Sequence, residues 1–384
     1  MKSNYNQLGQ YIEMVSRTNS DLKYGIEDVR GCSNTKQMMQ TRANLIGRTY
    51  EKFIVLRPQE FVFNRRTTRN GEKIGMAYNN TDREYIFTND YVAFRVKQEY
   101  LDKLLPDYLY MFFCRDEFDR YARYKSTGSA TEFFNWEDMC AVPFEIPPMD
   151  FQQLVVNAYK VLNERIETKQ KINDNLAATL DALFSELYGQ LNDDDSVSLD
   201  TVCSLASSKR VFADDYSDMG VPFYRGKEIT LKQAGQPIIE PLYIEKEHFT
   251  SLKEKYGIPM KGDILITAVG TIGNSYLVRD EEFYFKDGNI IWLKDFKGNL
   301  NYYVYDFMQT KIFKQMLDGI CIGSTQTALT IVALSNLQIK IPDSRLLNEY
   351  TKQSMVVRTQ IELNTDEISH LYELQAILLA ELSR

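Results

Sequence analysis

The chain has 384 residues, 44% of them hydrophobic and 12% aromatic, and its formal net charge at pH 7 is −8. This composition excludes a disordered chain, and the length predicts two domains, each with its own core. Neither a run of 18 apolar residues nor an apolar signal-peptide segment is visible, so we expect a cytoplasmic protein without a membrane partner.

The cysteines and histidines are poor candidates for redox or metal chemistry. The five cysteines are scattered and never spaced as CxxC, which is typical of reduced thiols. The two histidines, His248 and His370, have no Cys or His neighbour at metal-ligand spacing. We therefore expect no metal site and no histidine-based catalytic triad.

Most of the negative charge lies in two segments. Residues 151–197 hold 4 basic and 8 acidic residues, and residues 343–384 hold 4 and 7, which together give −7 of the net −8. The rest of the chain is nearly neutral. A local basic face could therefore still bind a nucleic acid despite the acidic total.

Residues 1–150 form the first predicted domain, which we call the first head. Its clearest strands are FVFNRR at 61–66 and EYIFTNDYVAFRV at 84–96. Near its end, Val142, Phe144 and Ile146 alternate with polar or proline residues, which predicts a short half-buried strand that ends at a proline.

Residues 151–190 form a predicted spacer helix. The stretch 151–188 contains neither Gly nor Pro, and its apolar residues recur every three or four positions, which is the pattern of a coiled-coil seam. The seam residues that we expect to pair with another helix are Leu162, Ile166, Leu176, Leu180, Leu183 and Leu187. Gly189 and the acidic run at 192–196 predict the end of the helix and an exposed linker at 191–197.

Residues 198–342 form the second predicted domain, the second head, and residues 343–384 form a second spacer helix. GDILIT at 262–267 and NIIWLK at 289–294 are the clearest strands, and 337–341 repeats the closing strand. The C-terminal helix also lacks Gly and Pro. Its predicted pairing residues are Ile361, Ile368, Leu371, Leu374 and Leu378.

The two halves form an internal repeat. At a fixed offset of 195, the 40 residues from 108 to 147 contain eight identities with 303–342, where chance predicts roughly two or three. The matches include Tyr108 with Tyr303, Phe118 with Phe313 and Gly128 with Gly323. A weaker match of 8–12 with 199–203 suggests that the heads also begin alike.

Two heads and two helices predict an α+β fold with a specific arrangement. Each head of mixed strands and helices is followed by a long helix, and the matching seams predict an antiparallel coiled coil with pseudo-two-fold symmetry. The alternative is that each seam only packs within its own domain. Because major grooves of duplex DNA repeat every ~34 to 36 Å, two heads on a rigid spacer are suited to reading two half-sites.

This layout resembles the specificity (S) subunit of Type I restriction–modification systems, over essentially the whole chain. The motifs that carry the resemblance are GDILITAVGTIGN at 262–274, VPFYRGKEI at 221–229, GSTQTALTIVALSNLQIKIP at 323–342 and FVFNRRTTRNGEKIG at 61–75. The first head departs from the pattern, because residues 58–62 (PQEFV) replace the GDIL-type segment. The strand register of the first target-recognition domain is therefore less well defined.

The resemblance implies a non-catalytic subunit that recognises a bipartite double-stranded DNA target. It also implies two methyltransferase (modification) subunits as partners, and restriction subunits that bind through them. S-adenosylmethionine, ATP and magnesium are then cofactors of those partners, and none is expected on this chain. The DNA motifs that are read cannot be carried over from relatives.

In the first head, the candidate DNA-binding residues lie in two loops. Arginine can bridge guanine O6 and N7, asparagine can pair with adenine, and basic side chains bind phosphates. A small polar loop near Gly128 can approach a DNA backbone closely. The candidates are Arg65, Arg66, Arg69, Asn70, Lys73, Lys125 and Ser129. The alternative is that both segments are ordinary surface turns.

In the second head, the candidates are two basic segments, a tight turn and the loop that repeats the one near Gly128. They are Lys209, Arg210, Arg225, Lys227, Thr271, Ser324, Gln326 and Thr327. Arg225 follows an apolar segment and has a purely structural alternative. The turn at 270–273 is too short for a phosphate-binding glycine loop, so a structural role is also open there.

Two other functions compete with DNA recognition. A coiled-coil adaptor could bind proteins without reading DNA. A methyltransferase or nuclease is disfavoured, because the only Pro-Pro lies in IPPM at 146–149 and no glycine-rich cofactor loop follows a strand.

Overall fold

The computed structural model describes residues 6–41, 45, 47–67, 73–128, 132–238, 241–321 and 328–382. The chain divides into two compact units, Met1–Glu164 with Glu373–Arg384, and Arg165–Tyr372. The division falls inside both long helices, so each unit contains one head and a part of each helix. The predicted domain boundaries at 150, 190, 197 and 342 remain predictions.

The first unit contains eight strands and three short helices within its described residues, and the start of the first long helix. The strands are β1 Ile12–Val15, β2 Arg30–Cys32, β3 Met38–Gln40, β4 Ile54–Leu56, β5 Phe61–Asn64, β6 Met76–Tyr78, β7 Tyr85–Phe87 and β8 Tyr91–Val96. The helices are α1 Pro106–Phe113, α2 Asp116–Lys125, α3 Trp136–Cys140 and α4 Met149–Gly189.

The main sheet of the first unit is antiparallel, in the order β1-β8-β5-β6. Because side chains alternate along a strand, Phe61 and Phe63 of β5 enter the large core with the helices, whereas Val62 faces a smaller cluster with Ala77 and Ala93. Both faces of this sheet are therefore buried. Two small sheets, β2-β3 and β4-β7, complete the unit.

The second unit contains the remaining elements, except that the last residues of the second long helix, from Glu373, belong to the first unit. Its strands are β9 Ser196–Ser198, β10 Ser204–Ala206, β11 Tyr216–Ser217, β12 Val221–Tyr224, β13 Leu242–Ile244, β14 Ile264–Thr267, β15 Ser275–Leu277, β16 Tyr284–Phe285, β17 Ile290–Lys294 and β18 Gln338–Lys340. Its helices are α5 Gly226–Gln233, α6 Lys246–Tyr256, α7 Leu300–Gln309, α8 Lys311–Ile320, α9 Ile331–Ser335 and α10 Ser344–Glu381.

The main sheet of the second unit has the same topology as that of the first, in the order β10-β17-β14-β15 and again antiparallel. Ile264 and Ile266 of β14 enter the large core, and Leu265 faces a second cluster with Trp292. A further sheet in the order β11-β13-β12-β16, in which β12 and β16 are parallel, has no counterpart of that size among the described residues of the first unit.

Three short helices recur in both heads at the predicted offset of 195 or within one residue of it, since α1 begins at 106 and α7 at 300, α2 at 116 and α8 at 311, and α3 at 136 and α9 at 331. The repeated aromatic residues are core residues. Tyr108, Phe118, Tyr303 and Phe313 are all at most 5% exposed. The internal repeat therefore reflects a repeated core.

The two long helices pack against each other and run antiparallel, as predicted. In the second unit, Asn173 of α4 accepts a hydrogen bond from Asn364 of α10 at 2.9 Å, and Phe184 lies against Tyr350. In the first unit, Gln375 donates to Asn163 at 2.6 Å. Residue numbers therefore rise along one helix as they fall along the other.

Three details differ from the sequence prediction. The segment 84–96 is two strands with a turn between them. The strand predicted at 142–146 is reduced to a single bridge, in which Pro143 pairs with Gln7. The acidic segment at 191–197 is not only an exposed linker, because β9 pairs with β18 and Leu191 is buried.

All five cysteines are free, and Cys203 is buried while the other four are half-buried. Among the residues that the structure describes, no helix is both long and apolar enough to cross a bilayer.

Candidate nucleic-acid interface

The two candidate loops of the first head lie side by side. The backbone N–H of Phe134 donates to the carbonyl of Arg65 at 2.9 Å, and that of Thr67 donates to the carbonyl of Glu132 at 3.0 Å. These backbone bonds join the basic loop that starts at Arg65 to the segment that follows Gly128. The structure therefore brings together two segments that are about 65 positions apart in sequence.

The positive charge at this place is partly neutralised. Arg66 lies 3.3 Å from Asp90 and both side chains are more than half exposed, so the pair is weak and a phosphate could compete with it. Lys73 is 3.9 Å from Asp116. The ammonium of Lys125 lies 5.8 Å from the ring centroids of Tyr121 and Tyr124. Arg65 is half-buried, at the start of the loop.

Some candidate residues lie outside the described part of the chain. They are Arg69, Asn70, Ser129, Ser324, Gln326 and Thr327. Their assignment to DNA contact stays a prediction.

A buried ion pair anchors the far end of the basic loop. The ammonium of Lys36 donates to the carboxylate of Asp119 and to the carbonyl of Ile74, and the same carboxylate accepts the backbone N–H of Ile74 at 3.0 Å. Lys36 is 4% and Asp119 6% exposed. Burial lowers the pKa of Lys36 and raises that of Asp119, and in each case the charge of the partner opposes the shift.

Sequence reasoning missed this pair. Lys36 lies in a polar segment, 83 residues from its partner, and has a left-handed backbone with φ 63°. The only signal in the sequence is an acidic residue on the otherwise apolar face of α2, next to Phe118.

The second head joins its loops in the same way. The N–H of Leu329 donates to the carbonyl of Ala268 at 2.9 Å, and Val269 bridges to Ala328. With the two offsets of 203 and 195, these residues correspond to Phe134, Arg65, Arg66 and Phe133 of the first head. The repeated loop pair is therefore a shared feature of both heads.

Helix α5 borders this loop pair in the second head. The hydroxyl groups of Thr230 and Thr271 are 3.1 Å apart, and the amide of Asn274 donates to Thr230 at 3.0 Å. Lys227 is exposed and lies three residues before Thr230, on the same side of the helix. The contacts therefore bring Thr271 and Lys227, two of the predicted candidates, to one side of the head.

The other basic candidates of the second head lie around β12 and β16. Arg210 pairs with Asp287 at 2.8 Å, and the N–H of Lys209 donates to the hydroxyl of Tyr284 at 3.0 Å. Lys209 and Arg210 are exposed. They follow β10, whereas Thr271 follows β14, and no hydrogen bond or ion pair among the described residues connects the two groups.

Arg225 has a structural partner. Its guanidinium donates to both carboxylate oxygens of Glu228, at 3.2 and 2.8 Å, and its backbone N–H donates to the same carboxylate at 2.9 Å. Burial would raise the pKa of Glu228, but the hydrogen bonds and charge of Arg225 outweigh it and leave the pKa below its usual value. Arg225 is thus the N-cap residue of α5, and the Glu228 carboxylate caps the helix by accepting its backbone N–H, while the Arg225 side chain is 40% exposed.

The predicted helix-pairing residues vary in burial. Ile166, Leu180, Leu187, Ile368 and Leu371 are buried, and Leu162, Leu176, Leu183, Ile361 and Leu378 are half-buried. Leu374 is 52% exposed.

Polar residues occupy the positions that the apolar pattern leaves open. Asn364 and Gln375 are 1% and 7% exposed, and Lys169 pairs with Glu367 at 2.8 Å. The spacing in the sequence could have identified these residues. Lys169 and Asn173 continue the three-to-four spacing between Ile166 and Leu176, and Asn364 and Gln375 continue it in α10. A search for apolar residues alone could not find them.

Comparison with known proteins agrees with this architecture. Residues 193–370 match the family model described as the Type I restriction modification DNA specificity domain. The matched segment has 178 residues, a little under half of the chain. The resemblance seen in the sequence is confirmed for this segment, which covers the second head together with most of α10.

A curated relative matches part of the chain. A Haemophilus influenzae protein, named as a type I restriction enzyme specificity subunit, is 32% identical over 211 residues, which are 52% of this chain and 52% of that protein. The chain thus spans about half the length of the curated relative that it matches.

One solved structure extends the likeness in fold to nearly the whole chain. The Type I restriction–modification S subunit from M. genitalium has 15% identity and a TM-score of 0.51, over 99% of this chain and 96% of that chain. At this identity the match shows a shared fold alone. The HsdS subunit from Thermoanaerobacter tengcongensis also has 15% identity, with a TM-score of 0.36 over 98% and 95% of the two chains.

Proposed function

We propose that this chain is a non-catalytic DNA-specificity subunit that recognises a bipartite double-stranded DNA target. It assembles methyltransferase and restriction subunits on that target. Two modification subunits are its direct partners and restriction subunits join through them, so S-adenosylmethionine, ATP and magnesium belong to those partners.

One observation carries the proposal. Each head contains the same four-stranded sheet, followed by the same helices. In each head, backbone hydrogen bonds join the loop after a central strand of this sheet, β5 or β14, to the loop that follows α2 or α8. A duplicated loop pair suits a protein that reads two separate short motifs. The adaptor alternative gives no reason for duplicating these loops.

The test uses the chain with its modification subunits in a host that lacks other DNA methyltransferases. Sequencing of methylated bases should find one bipartite motif, with two short specified parts and a gap of fixed length. Replacing residues 1–145 with the head of another specificity subunit should change one half-motif only. A change in both half-motifs would contradict independent reading by the two heads.

A binding measurement separates a DNA reader from an adaptor. The complex should retain a duplex that carries the bipartite motif better than one with scrambled half-motifs, and retention should fall steeply with salt because phosphate contacts release counterions. Equal retention of both duplexes would support the adaptor.

A second genetic test concerns the helices. Four residues inserted into each long helix, near Ile172 in α4 and near Thr365 in α10, should change the gap length while both half-motifs stay the same. An altered half-motif would count against a spacer role for the helices.

A further inference from the structure

The second head contacts the long helices at several places within the second unit, and two of these places lie far apart. At the first place, Phe184 and Leu187 of α4 and Tyr350 of α10 pack into the core beneath the sheet. At the second place, Arg279, which follows β15, donates two hydrogen bonds to Asp366 of α10, at 2.8 and 2.6 Å. We call this bidentate ion pair the head clamp.

The two places are far apart along α10. Tyr350 and Asp366 are 366 − 350 = 16 residues apart in one helix, which is about 24 Å at the helical rise per residue. A rigid body that is attached at one end can tilt about that end. A second attachment about 24 Å away fixes the angle of tilt.

Apolar packing does not fill the space beside the clamp. A cleft of about 720 Å³ is lined by head residues such as Tyr276 and Gln309 and by helix residues such as Ala178 and Ile361. Arg279 and Asp366 also line this cleft. Because the head and the helices do not pack tightly here, the polar contacts across the cleft decide the tilt.

Two further contacts accompany the clamp. Gly235 has a left-handed backbone with φ 63°, and a Cβ there would lie 3.3 Å from the methyl group of Thr365, so the head comes close to α10 next to Asp366. Nearer the core, Asp306 of α7 forms an ion pair with the buried guanidinium of Arg358. The same carboxylate accepts a hydrogen bond from the hydroxyl of Tyr350 at 2.6 Å.

The first half of the chain lacks the residues for an equivalent clamp. At the offset of 195, Met111, Val155 and Asn163 replace Asp306, Tyr350 and Arg358, and Lys171 replaces Asp366. Met111 and Val155 are buried apolar residues in the first unit. The bidentate ion pair is therefore particular to the second head, whereas the first head contacts α4 through neutral hydrogen bonds, such as that from the Gln152 amide to the carbonyl of Lys103 at 2.7 Å.

We propose that Arg279 and Asp366 are positioning residues that hold the second head at one tilt and thereby restrict the protein to a single gap length. This inference rests on the function proposed above. A tilt of about 10° about the core end would move the clamped side by about 4 Å, close to the ~3.4 Å rise of one base pair. Without the clamp, the head should accept gaps that differ by one base pair.

The experiment compares Arg279→Ala, Asp366→Ala and the exchanged pair Arg279→Asp/Asp366→Arg by sequencing methylated bases, with each variant in complex with its modification subunits. The two single variants should raise methylation at sites with a gap one base pair longer or shorter by about fivefold, the upper end expected for a partly exposed ion pair. The exchanged pair should move the profile back towards wild type. Both half-motifs should stay unchanged in all variants.

Lys253→Ala is the matched control, because Lys253 forms an ion pair with Glu282 at 2.5 Å within the second unit but without either long helix. It should keep the single gap. Arg279 and Asp366 are 33% and 49% exposed, so the single variants are expected to fold.

Two outcomes overturn the inference. One is a wild-type complex that reads a bipartite motif while both single variants keep its single gap. The other is loss of a half-motif in Arg279→Ala but not in Asp366→Ala, which would make Arg279 a DNA contact. If the wild-type complex yields no bipartite motif, the proposed function itself fails.

Discussion

Gln59 in the first head and Gly262 in the second head occupy the same position of the same turn, and both have a left-handed backbone, with φ 64° and 89°. The N–H of Gln59 donates to the carbonyl of Asn79 at 2.8 Å, and that of Gly262 donates to Val278 at 2.9 Å. The turn therefore leads into β5 and β14 in the same way.

The acidic residue that follows also has the same role in both heads. The backbone N–H of Arg57 donates to the carboxylate of Glu60, and that of Met260 donates to Asp263, each at 2.8 Å. The segment PQEFV is thus the counterpart of GDIL, although their sequences differ.

The first prediction concerns this turn. Gly262→Ala should lower the free energy of unfolding by about 1 to 3 kcal/mol, because a left-handed backbone disfavours a Cβ by about 1 kcal/mol. The new Cβ would also lie 2.7 Å from the amide nitrogen of Asn301. Urea denaturation measures the change.

The reciprocal variant is its control. Gln59→Gly relieves the same strain, partly offset by the greater entropy of glycine in the unfolded chain, so it should leave stability unchanged or raise it by up to about 1 kcal/mol. Destabilisation by Gln59→Gly similar to that of Gly262→Ala would argue against a shared turn.

The second prediction concerns the ion pair beneath the basic loop. Asp119→Ala should destabilise the first head by about 3 to 5 kcal/mol, because it leaves the ammonium of Lys36 buried without its counter-charge. The double variant Lys36→Met/Asp119→Leu should recover most of this loss. Denaturation of the three proteins gives the comparison, and a double variant as unstable as Asp119→Ala would show that the acidic group matters for another reason.

The repeat and the helix pattern were sufficient to predict the architecture. Residues that are identical at the offset of 195, such as Phe118 and Phe313, lie in the cores of the two heads. Core positions tolerate few changes, so these identities mark the helices that recur in both heads. The antiparallel pairing of α4 and α10 also follows from matching seams.

Ion pairs between residues that are far apart in the sequence could not be predicted. Lys36 with Asp119 and Arg279 with Asp366 are 83 and 87 positions apart, and nothing local identifies a partner. The turn at Gln59 could not be predicted either, because only a glycine, such as Gly262, indicates a left-handed backbone from sequence. The candidate loops were found by composition, but their pairing depends on strand topology, which the sequence pattern does not specify.

The third prediction concerns pH. The folded-state pKa of Glu228 lies below its usual value, so its ionised form contributes stability that is present above the unfolded-state pKa and is lost as the pH falls through the folded-state pKa. Glu228→Gln should therefore destabilise the second head more at about pH 7 than at about pH 3.5.

Urea denaturation at both pH values measures that difference. Glu247→Gln, an exposed position on α6, serves as the control and should match wild type at both. An equal cost of Glu228→Gln at both pH values would mean that the charge of Glu228 adds nothing to the cap.

The fourth prediction assigns loops to half-motifs. Arg65→Ala and Gln326→Ala should weaken binding by roughly 1 to 3 kcal/mol each, at different half-motifs, if these side chains contact bases. Binding to duplexes that carry one substituted half-motif at a time makes the assignment. A uniform loss on all duplexes, with a shallower salt dependence, would instead indicate a phosphate contact.

The fifth prediction concerns the polar residues between the long helices. Asn364 is 1% exposed, donates to Asn173 at 2.9 Å and accepts from Lys169 at 3.0 Å. Asn364→Leu alone should cost about 1 to 3 kcal/mol, because the half-buried carbonyl oxygen of Asn173 loses this donor and the ammonium of Lys169 loses this acceptor. The double variant Asn173→Leu/Asn364→Leu should be close to wild type or more stable, since two leucines suit a coiled-coil seam.

A double-mutant cycle from denaturation curves tests the coupling between the two asparagines. Leu374→Ala is a useful reference, because this predicted seam residue is 52% exposed and should cost less than about 1 kcal/mol. Additive losses in the cycle would show that the asparagines act independently. Buried polar groups at seam positions specify helix register at a cost in stability. If the double variant recovers the free energy of unfolding, the asparagine pair therefore serves the alignment of the helices and not their stability.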